Sequence, residues 1–401
     1  MLVLYSIILN LLNALLLPAS FLLKKGKLSD FIKGRLNQNF DLLPNKSGKR
    51  YWFHCASLGE FEQAKPLIEQ IKKSDTNTSV VISFFSPSGY NYQKNFPLAD
   101  FVFYLPLDTK HNAKKIIKAI QADCVIFIKY EIWYHLITQI NKQNIPCFLV
   151  SAVFRESQFI FKPMGRWLLK VLPLYKKIFL QNEESAIVLK KNNISNYEIA
   201  GDTRYDRVFE IALNAVENDT LKEFVGANNC LILGSSWPQE EKLLFEYLKT
   251  DNCISKVIIA PHDVSETRIN EIVNHFASLK PQLYTTFDSS QTTQILILDT
   301  IGQLSNAYQY ATIALVGGGF GKGLHNILEP LAHNVPVIFG PHIERYPEAG
   351  MSIKAGVAIF LEENGLLKEA IEKHLRQLSS KSKDFIARNM GATDKIIAQI
   401  L

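Results

Sequence analysis

The feature that most constrains the fold of this 401-residue chain is a recurring alternation of short apolar runs with polar stretches of helical period. In the first half the runs are YWFHCA (51–56), SVVISFF (79–85), CVIFI (124–128), PCFLVSA (146–152) and KIFLQ (177–181). A second series comprises CLILGS (230–235), KVIIAP (256–261), QILILD (294–299), TIALVGGG (312–319), VPVIFG (335–340) and GVAIFLE (356–362). Such runs, rich in β-branched and aromatic residues and each followed by a helix, indicate parallel sheets wrapped by helices. The chain is too long for one core, so each series is expected to build its own α/β domain. The stretch 202–221, with the helix-like RYDRVFEIALNAV, is the expected linker. The resulting division is an apolar segment 1–23, a domain over 24–201, the linker 202–221 and a domain over 222–401.

Residues 1–23, MLVLYSIILNLLNALLLPASFLL, carry no charge. At about 1.5 Å per residue a helix of this length reaches across a ~30 Å hydrocarbon core. A cleaved signal peptide places its positive charges first; here Lys24, Lys25, Lys27, Lys33 and Arg35 follow the apolar stretch. A retained membrane anchor, spanning or lying in the interface, is therefore expected, with the body on the cytoplasmic side. The net charge of +6 is modest and spread along the chain, which gives no sign of nucleic-acid binding. Cys55, Cys124, Cys147, Cys230 and Cys253 form no C-x-x-C and read as reduced thiols.

In open α/β sheets ligands gather at the carboxyl ends of the strands. Every chemically suggestive cluster here follows a strand. GGGFGKGLHNILEP (317–330) fails as a P-loop, because Val316 and Gly323 stand where Gly and Ser or Thr are required, and no G-x-G-x-x-G threads through it. A strand, a glycine loop and a helix starting near Asn326 remain, an arrangement that favours an anion such as one phosphate, with Glu329 placed to accept from ribose hydroxyls. Packing alone is the competing explanation for the glycines. HCASLGEFEQ sets Glu60 at a helix start, where the dipole keeps the carboxylate ionised and lowers its basicity. FIKYEIWYHL puts Glu131 among apolar neighbours, where it needs a cation. In GDTRYDR, Arg204 is a candidate partner for a phosphate or carboxylate. APHDVSE (260–266) and DTIGQLSNAY (299–308) present short side chains and amides. His54, His262, His325, His333 and His342 form no H-x-H or H-E-x-x-H pair, so no metal centre is expected.

Together these segments resemble the 3-deoxy-D-manno-octulosonic acid (Kdo) transferases of lipopolysaccharide synthesis. HCASLGE resembles a family His-Ala-Ala-Ser-Val-Gly-Glu, YEIW resembles Thr-Glu-Ile-Trp, and GDTRYD resembles Gly-Asn-Leu-Lys-Phe-Asp. GGGFGKGLHNILEP resembles Gly-Gly-Ser, a basic loop and Gly-Gly-His-Asn-Pro-Leu-Glu-Pro, and the matches are collinear along nearly the whole chain. The resemblance implies a GT-B glycosyltransferase: two Rossmann-like domains facing a cleft, preceded by the membrane anchor. It implies inverting transfer of Kdo from CMP-Kdo to lipid IVA, without a metal or other cofactor, beside the anionic lipids of the inner membrane. It places Glu60 on the catalytic base, Glu131 and Arg204 on the transition-state stabilisers, and CMP contacts on Pro261, His262, Gly302, Gln303, Leu304, Asn326, Ile327, Leu328 and Glu329. His262 stands where the family commonly has arginine, Arg204 replaces a lysine and Ile327 replaces a proline. Two alternatives stay open: another GT-B transferase taking a UDP-sugar to a membrane lipid, and a membrane-anchored nucleotide-binding scaffold in which Glu60 is incidental.

Overall fold

The computed structural model describes residues 1–22, 26–36, 38–250, 253–362, 366–377 and 381–401; Leu23, Lys24 and Lys25 of the expected anchor and its basic flank lie outside this set. The chain forms two compact units, one of Met1–Asp206 with Met390–Leu401 and one of Arg207–Asn389.

The first unit is built on β1 (Arg50–Cys55), β2 (Ser79–Phe84), β3 (Phe101–Tyr104), β4 (Cys124–Ile128), β5 (Cys147–Ala152), β6 (Lys177–Leu180) and β7 (Tyr197–Ile199). They form one sheet in the order β3-β2-β1-β4-β5-β6-β7, all neighbours parallel. β1, β2, β4 and β5 are buried along their whole length, which is why they read as unbroken apolar runs. Side chains alternate between the two faces. Trp52 joins Val81, Phe103 and Leu149 in one core, while Tyr51 and Phe53 join Val80, Ile82 and Phe148 in the other. The helix after β1, Leu58–Ser74, buries Phe61, Ala64, Leu67, Ile68 and Ile71, the stripe its period predicts.

The second unit has β8 (Cys230–Ser236), β9 (Lys256–Pro261), β10 (Gln282–Leu283), β11 (Ile295–Ile297), β12 (Ile313–Val316), β13 (Val337–Phe339) and β14 (Ala358–Phe360). Its sheet runs β10-β11-β9-β8-β12-β13-β14, again parallel. Each sheet is built to both sides of its first strand, reversing between β1 and β4 and between β8 and β12, and in the second β11 inserts between β9 and β10. Those reversals open crevices at the carboxyl edge, and ligands of such sheets bind there.

Two sequence expectations change. The stretch 202–221 is mostly helix, Thr203–Leu213 and then from Asp219, and the chain divides between Asp206 and Arg207. The last helix, Ala392–Ile400, belongs to the first unit rather than to a domain reaching residue 401. Its Ile396, Ile397 and Ile400 enter the same core as Phe61 and Leu67, and Asp206 accepts from Gly391 N, Thr393 N and Thr393 Oγ1 at 2.6, 2.8 and 2.7 Å. Arg35, grouped by sequence with the lysines that follow the apolar stretch, is buried. Its guanidinium lies 3.6 Å from the Phe31 ring centre and 4.4 Å from that of Phe85, and burial pulls its pKa down to about 10.

All five cysteines are free; four are buried and Cys253 is exposed. The helix Leu2–Leu22 is long and apolar enough to cross a membrane, with a mean hydropathy of 2.0.

Candidate active site

At the first reversal, β1 delivers His54 and, through Ser57, the first turn of the following helix with Glu60. β4 is followed by Lys129, which adopts φ 67°. A left-handed turn at a non-glycine residue is costly and common at functional sites. Here it redirects the chain leaving β4 so that Glu131 meets His54 of the adjacent strand. His54 Nε2 lies 3.1 Å from Glu131 Oε2, and Trp133 Nε1 donates to the same oxygen. On its other side His54 Nδ1 is 2.9 Å from Ser83 Oγ, which already accepts from Trp52 Nε1 at 2.8 Å. Nε2 thus faces a carboxylate oxygen, while Nδ1 faces both the Ser83 hydroxyl and, at 3.2 Å, the Ser83 carbonyl.

Glu60 is only 8% exposed, and its carboxylate accepts from Ala56 N. Burial first, then the nearby Glu131 charge, push its pKa from 4.5 up to about 8, against the opposing pull of backbone amides and Lys129. The expected lowering by the helix dipole is thus overruled: removing the carboxylate from water and setting a second one beside it outweigh one helix terminus.

Arg204 stands just past β7. Its Nε and Nη2 donate to Asp202 Oδ2 at 3.0 and 2.6 Å, and Gln63 of the Glu60 helix donates to Asp202 Oδ1 at 3.3 Å. The Arg204 charge, with its hydrogen bonds, holds the buried Asp202 below the usual carboxylate range despite desolvation. Glu60, Glu131 and Arg204 therefore belong to one carboxyl edge of one unit.

The second unit gathers the other group at its own reversal. Pro261 ends β9 and His262 follows it, Gly302, Gln303 and Leu304 follow β11, and Asn326 to Glu329 follow β12. Ile327 and Leu328 are buried, so they offer only backbone to a ligand. Gln303 Oε1 accepts from Asn218 Nδ2 at 3.3 Å, and Asn326 Nδ2 donates to Glu329 Oε1 at 2.9 Å. The helix expected near Asn326 starts at Leu328 and ends at Ala332. One turn carries little dipole, so the helix start is a weaker anion site than the sequence suggested.

The glycines have an internal reason. A Cβ on Gly317 would lie 2.2 Å from Ser235 O, on Gly318 2.1 Å from Gly323 O, and on Gly319 2.5 Å from Gly340 N. Backbone of the same unit makes the close approach. Gly321 and Gly302 have open surroundings instead.

Sequence reasoning passed over three residues here. Glu240 is the third residue of the helix after β8, as Glu60 is of the helix after β1, a positional equivalence that was the available signal; that helix is capped by Trp237. Its Nε1 donates to His325 Nε2 at 3.1 Å, its ring stacks on His262 with centroids 4.8 Å apart, and Lys322 Nζ lies 5.6 Å over it. Burial lowers both histidines, His325 to about 4, so neither carries charge at neutral pH. Glu240 is buried, accepts from Gly318 N at 2.8 Å through one oxygen, and has no hydrogen-bond partner on the other. Burial raises its pKa. No group of three or more candidate metal ligands occurs among the described residues.

The family described as 3-deoxy-D-manno-octulosonic-acid transferase (kdotransferase) matches residues 34–207, the segment that carries Glu60, Glu131 and Arg204. A 3-deoxy-D-manno-octulosonic acid transferase of Chlamydia muridarum is 28% identical over 381 residues, covering 88% of this chain and 86% of its own.

The chain is thus similar to Kdo transferases over most of its length.

One from Haemophilus influenzae is 26% identical over 380 residues, covering 86% of this chain and 85% of its own. Among solved structures, the UDP-GlcNAc 2-epimerase of Neisseria meningitidis bound to UDP-GlcNAc aligns with a TM-score of 0.60 at 14% identity, covering 88% of this chain and 99% of its own. That likeness concerns the fold alone: the chain has the two parallel-sheet units of the GT-B architecture.

Proposed function

We propose that the protein transfers Kdo from CMP-Kdo to lipid IVA with inversion, at the inner membrane and from its cytoplasmic side, with Glu60 as the base. The observation that carries this reading is the Glu60 carboxyl, buried beside Glu131 at the reversal of the first sheet and made more basic than an ordinary glutamate. A sugar hydroxyl of the acceptor attacks the anomeric carbon of Kdo. The new C–O bond forms as the bond to the CMP phosphate breaks, CMP leaves with the electron pair, and Glu60 takes the hydroxyl proton. Glu131, oriented by His54 and Trp133, stabilises the positive charge that develops on the sugar. Arg204, steadied by Asp202, answers the negative charge on the leaving phosphate. Pro261, His262, Gly302 to Leu304 and Asn326 to Glu329 hold CMP-Kdo. With His262 and His325 neutral, Lys322 is the cation we assign to the phosphate at that edge. No metal takes part in the transfer.

The test is mass spectrometry of the product formed by purified protein, CMP-Kdo and lipid IVA with a chelator present. A Kdo adduct is expected. Glu60→Ala is expected to lower the rate by about 10² to 10⁴, while calorimetry still detects CMP-Kdo binding. Unchanged turnover in Glu60→Ala, transfer from a UDP-sugar instead, or loss of product on chelation overturns the reading.

A further inference from the structure

The N-terminal helix does not stand free of the first unit. Tyr5 Oη donates to Asp108 Oδ2 at 2.7 Å, Ser6 Oγ lies 2.9 Å from His135 Nε2, and Asn112 Nδ2 donates to Asn13 Oδ1 at 3.1 Å. The Tyr5 ring also packs against Trp167, centroids 5.2 Å apart. Asp108 is anchored in turn by the backbone amides of His135 and Leu136 at 2.9 and 2.8 Å, where the helix Tyr134–Lys142 begins. These contacts occupy one stripe, on which Tyr5, Ser6, Leu9, Asn13 and Leu16 are half-buried, and the opposite face exposes Leu4, Ile7, Leu11, Leu15 and Phe21.

Spanning conflicts with this seating. Only about nine residues follow Asn13 in the helix, a rise of about 13 Å against a hydrocarbon core of ~30 Å. To span, the helix must either break its polar contacts or carry Asp108, His135 and Asn112 into hydrocarbon, which is costly. The elements under the helix also suit an anionic surface. The segment Lys110–Ile120, which holds Asn112, exposes Lys110, Lys114, Lys115 and Lys118, and the segment around Trp167 exposes Arg166 and Lys170.

We propose that the helix Leu2–Leu22 lies flat in the headgroup region of an anionic bilayer, docked lengthwise on the first unit, and does not cross the membrane. The flat helix and the exposed lysines form one lipid-binding face. The proposal rests on the membrane-lipid reading above, but its test needs no transfer reaction, so the two fail separately.

In a Cys253→Ser background, whose remaining native cysteines are buried, Leu4→Cys, Leu11→Cys and Phe21→Cys are labelled with a fluorophore. The protein is then bound to sealed phosphatidylglycerol vesicles containing lipids spin-labelled at defined depths. A flat helix gives the same shallow depth at all three sites. A spanning helix separates the two outer sites by about 26 Å along the membrane normal and makes Leu11 the deepest, and that result overturns the proposal. Lys110→Glu with Lys114→Glu is expected to weaken binding to these vesicles by at least about tenfold and to leave transfer to detergent-dispersed acceptor unchanged. Equal binding to neutral phosphatidylcholine vesicles, or a doubled mass in solution with no vesicle binding, overturns it as well, the latter assigning the apolar face to a second copy of the chain.

Discussion

If Glu60 is the base, its titration sets the alkaline rise of the reaction. Its carboxyl is pushed up to about 8, so in a one-proton titration about a tenth is ionised at pH 7 and about nine tenths at pH 9. kcat/KM should therefore rise roughly tenfold across that interval and level off above it. The perturbation that identifies the group is Glu131→Gln, which deletes the neighbouring negative charge and keeps the shape. Burial is the larger cause of the shift and survives the substitution, so the limb should move below 8 without returning to 4.5. Initial rates from pH 6 to 9.5, read by mass spectrometry of the glycolipid, decide the matter. A flat wild-type profile, or a limb that Glu131→Gln leaves in place, refutes the assignment. A linked readout comes from stability. Between pH 4.5 and about 8 the folded protein keeps a proton on Glu60 that the unfolded chain has released, so this group's contribution to stability falls as pH rises through that window. Glu60→Gln removes the dependence, and its Tm advantage over wild type should grow between pH 5 and 8.5.

One further substitution and one truncation test the scaffold. Gly318→Ala adds a Cβ only 2.1 Å from Gly323 O at a φ of 88°, backbone against backbone. A loss of about 1 to 3 kcal/mol should appear in chemical denaturation, and an unchanged midpoint would show that the loop can shift. Deleting 390–401 strips Ile396, Ile397 and Ile400 from the core of the first unit. Each buried aliphatic side chain contributes about 1.5 to 3 kcal/mol, so the loss is comparable with the whole stability of a typical domain. The first unit should then unfold at a lower temperature in calorimetry; an unchanged transition would mean that the last helix is dispensable.

The parallel sheets were readable because a strand buried on both faces is apolar throughout, and runs such as 124–128 and 256–261 coincide with β4 and β9 to the residue. β3, β7 and β10 escaped notice because short edge strands carry less of that pattern. The return of Ala392–Ile400 to the first unit was illegible for a different reason. Its apolar stripe states that it packs somewhere, and nothing local states where.

The site divides in the same way. Positions after strands located Glu60, Glu131 and Arg204 one by one, and the structure supplied their partners. Asp202 is two residues from Arg204, yet its other side-chain oxygen accepts from Gln63, 139 positions away on the Glu60 helix. His54 and Glu131 are 77 positions apart and meet only because β4 is added beside β1, at the point where the sheet changes direction. That adjacency also reverses the chemistry read from the local motif. A carboxylate at a helix start is an acidic group by itself; the same carboxylate, enclosed and set beside a second one from the neighbouring strand, becomes basic enough to take a proton near neutral pH. Burial makes the larger contribution to that shift and the Glu131 charge the smaller one, and the local pattern around Glu60 states neither.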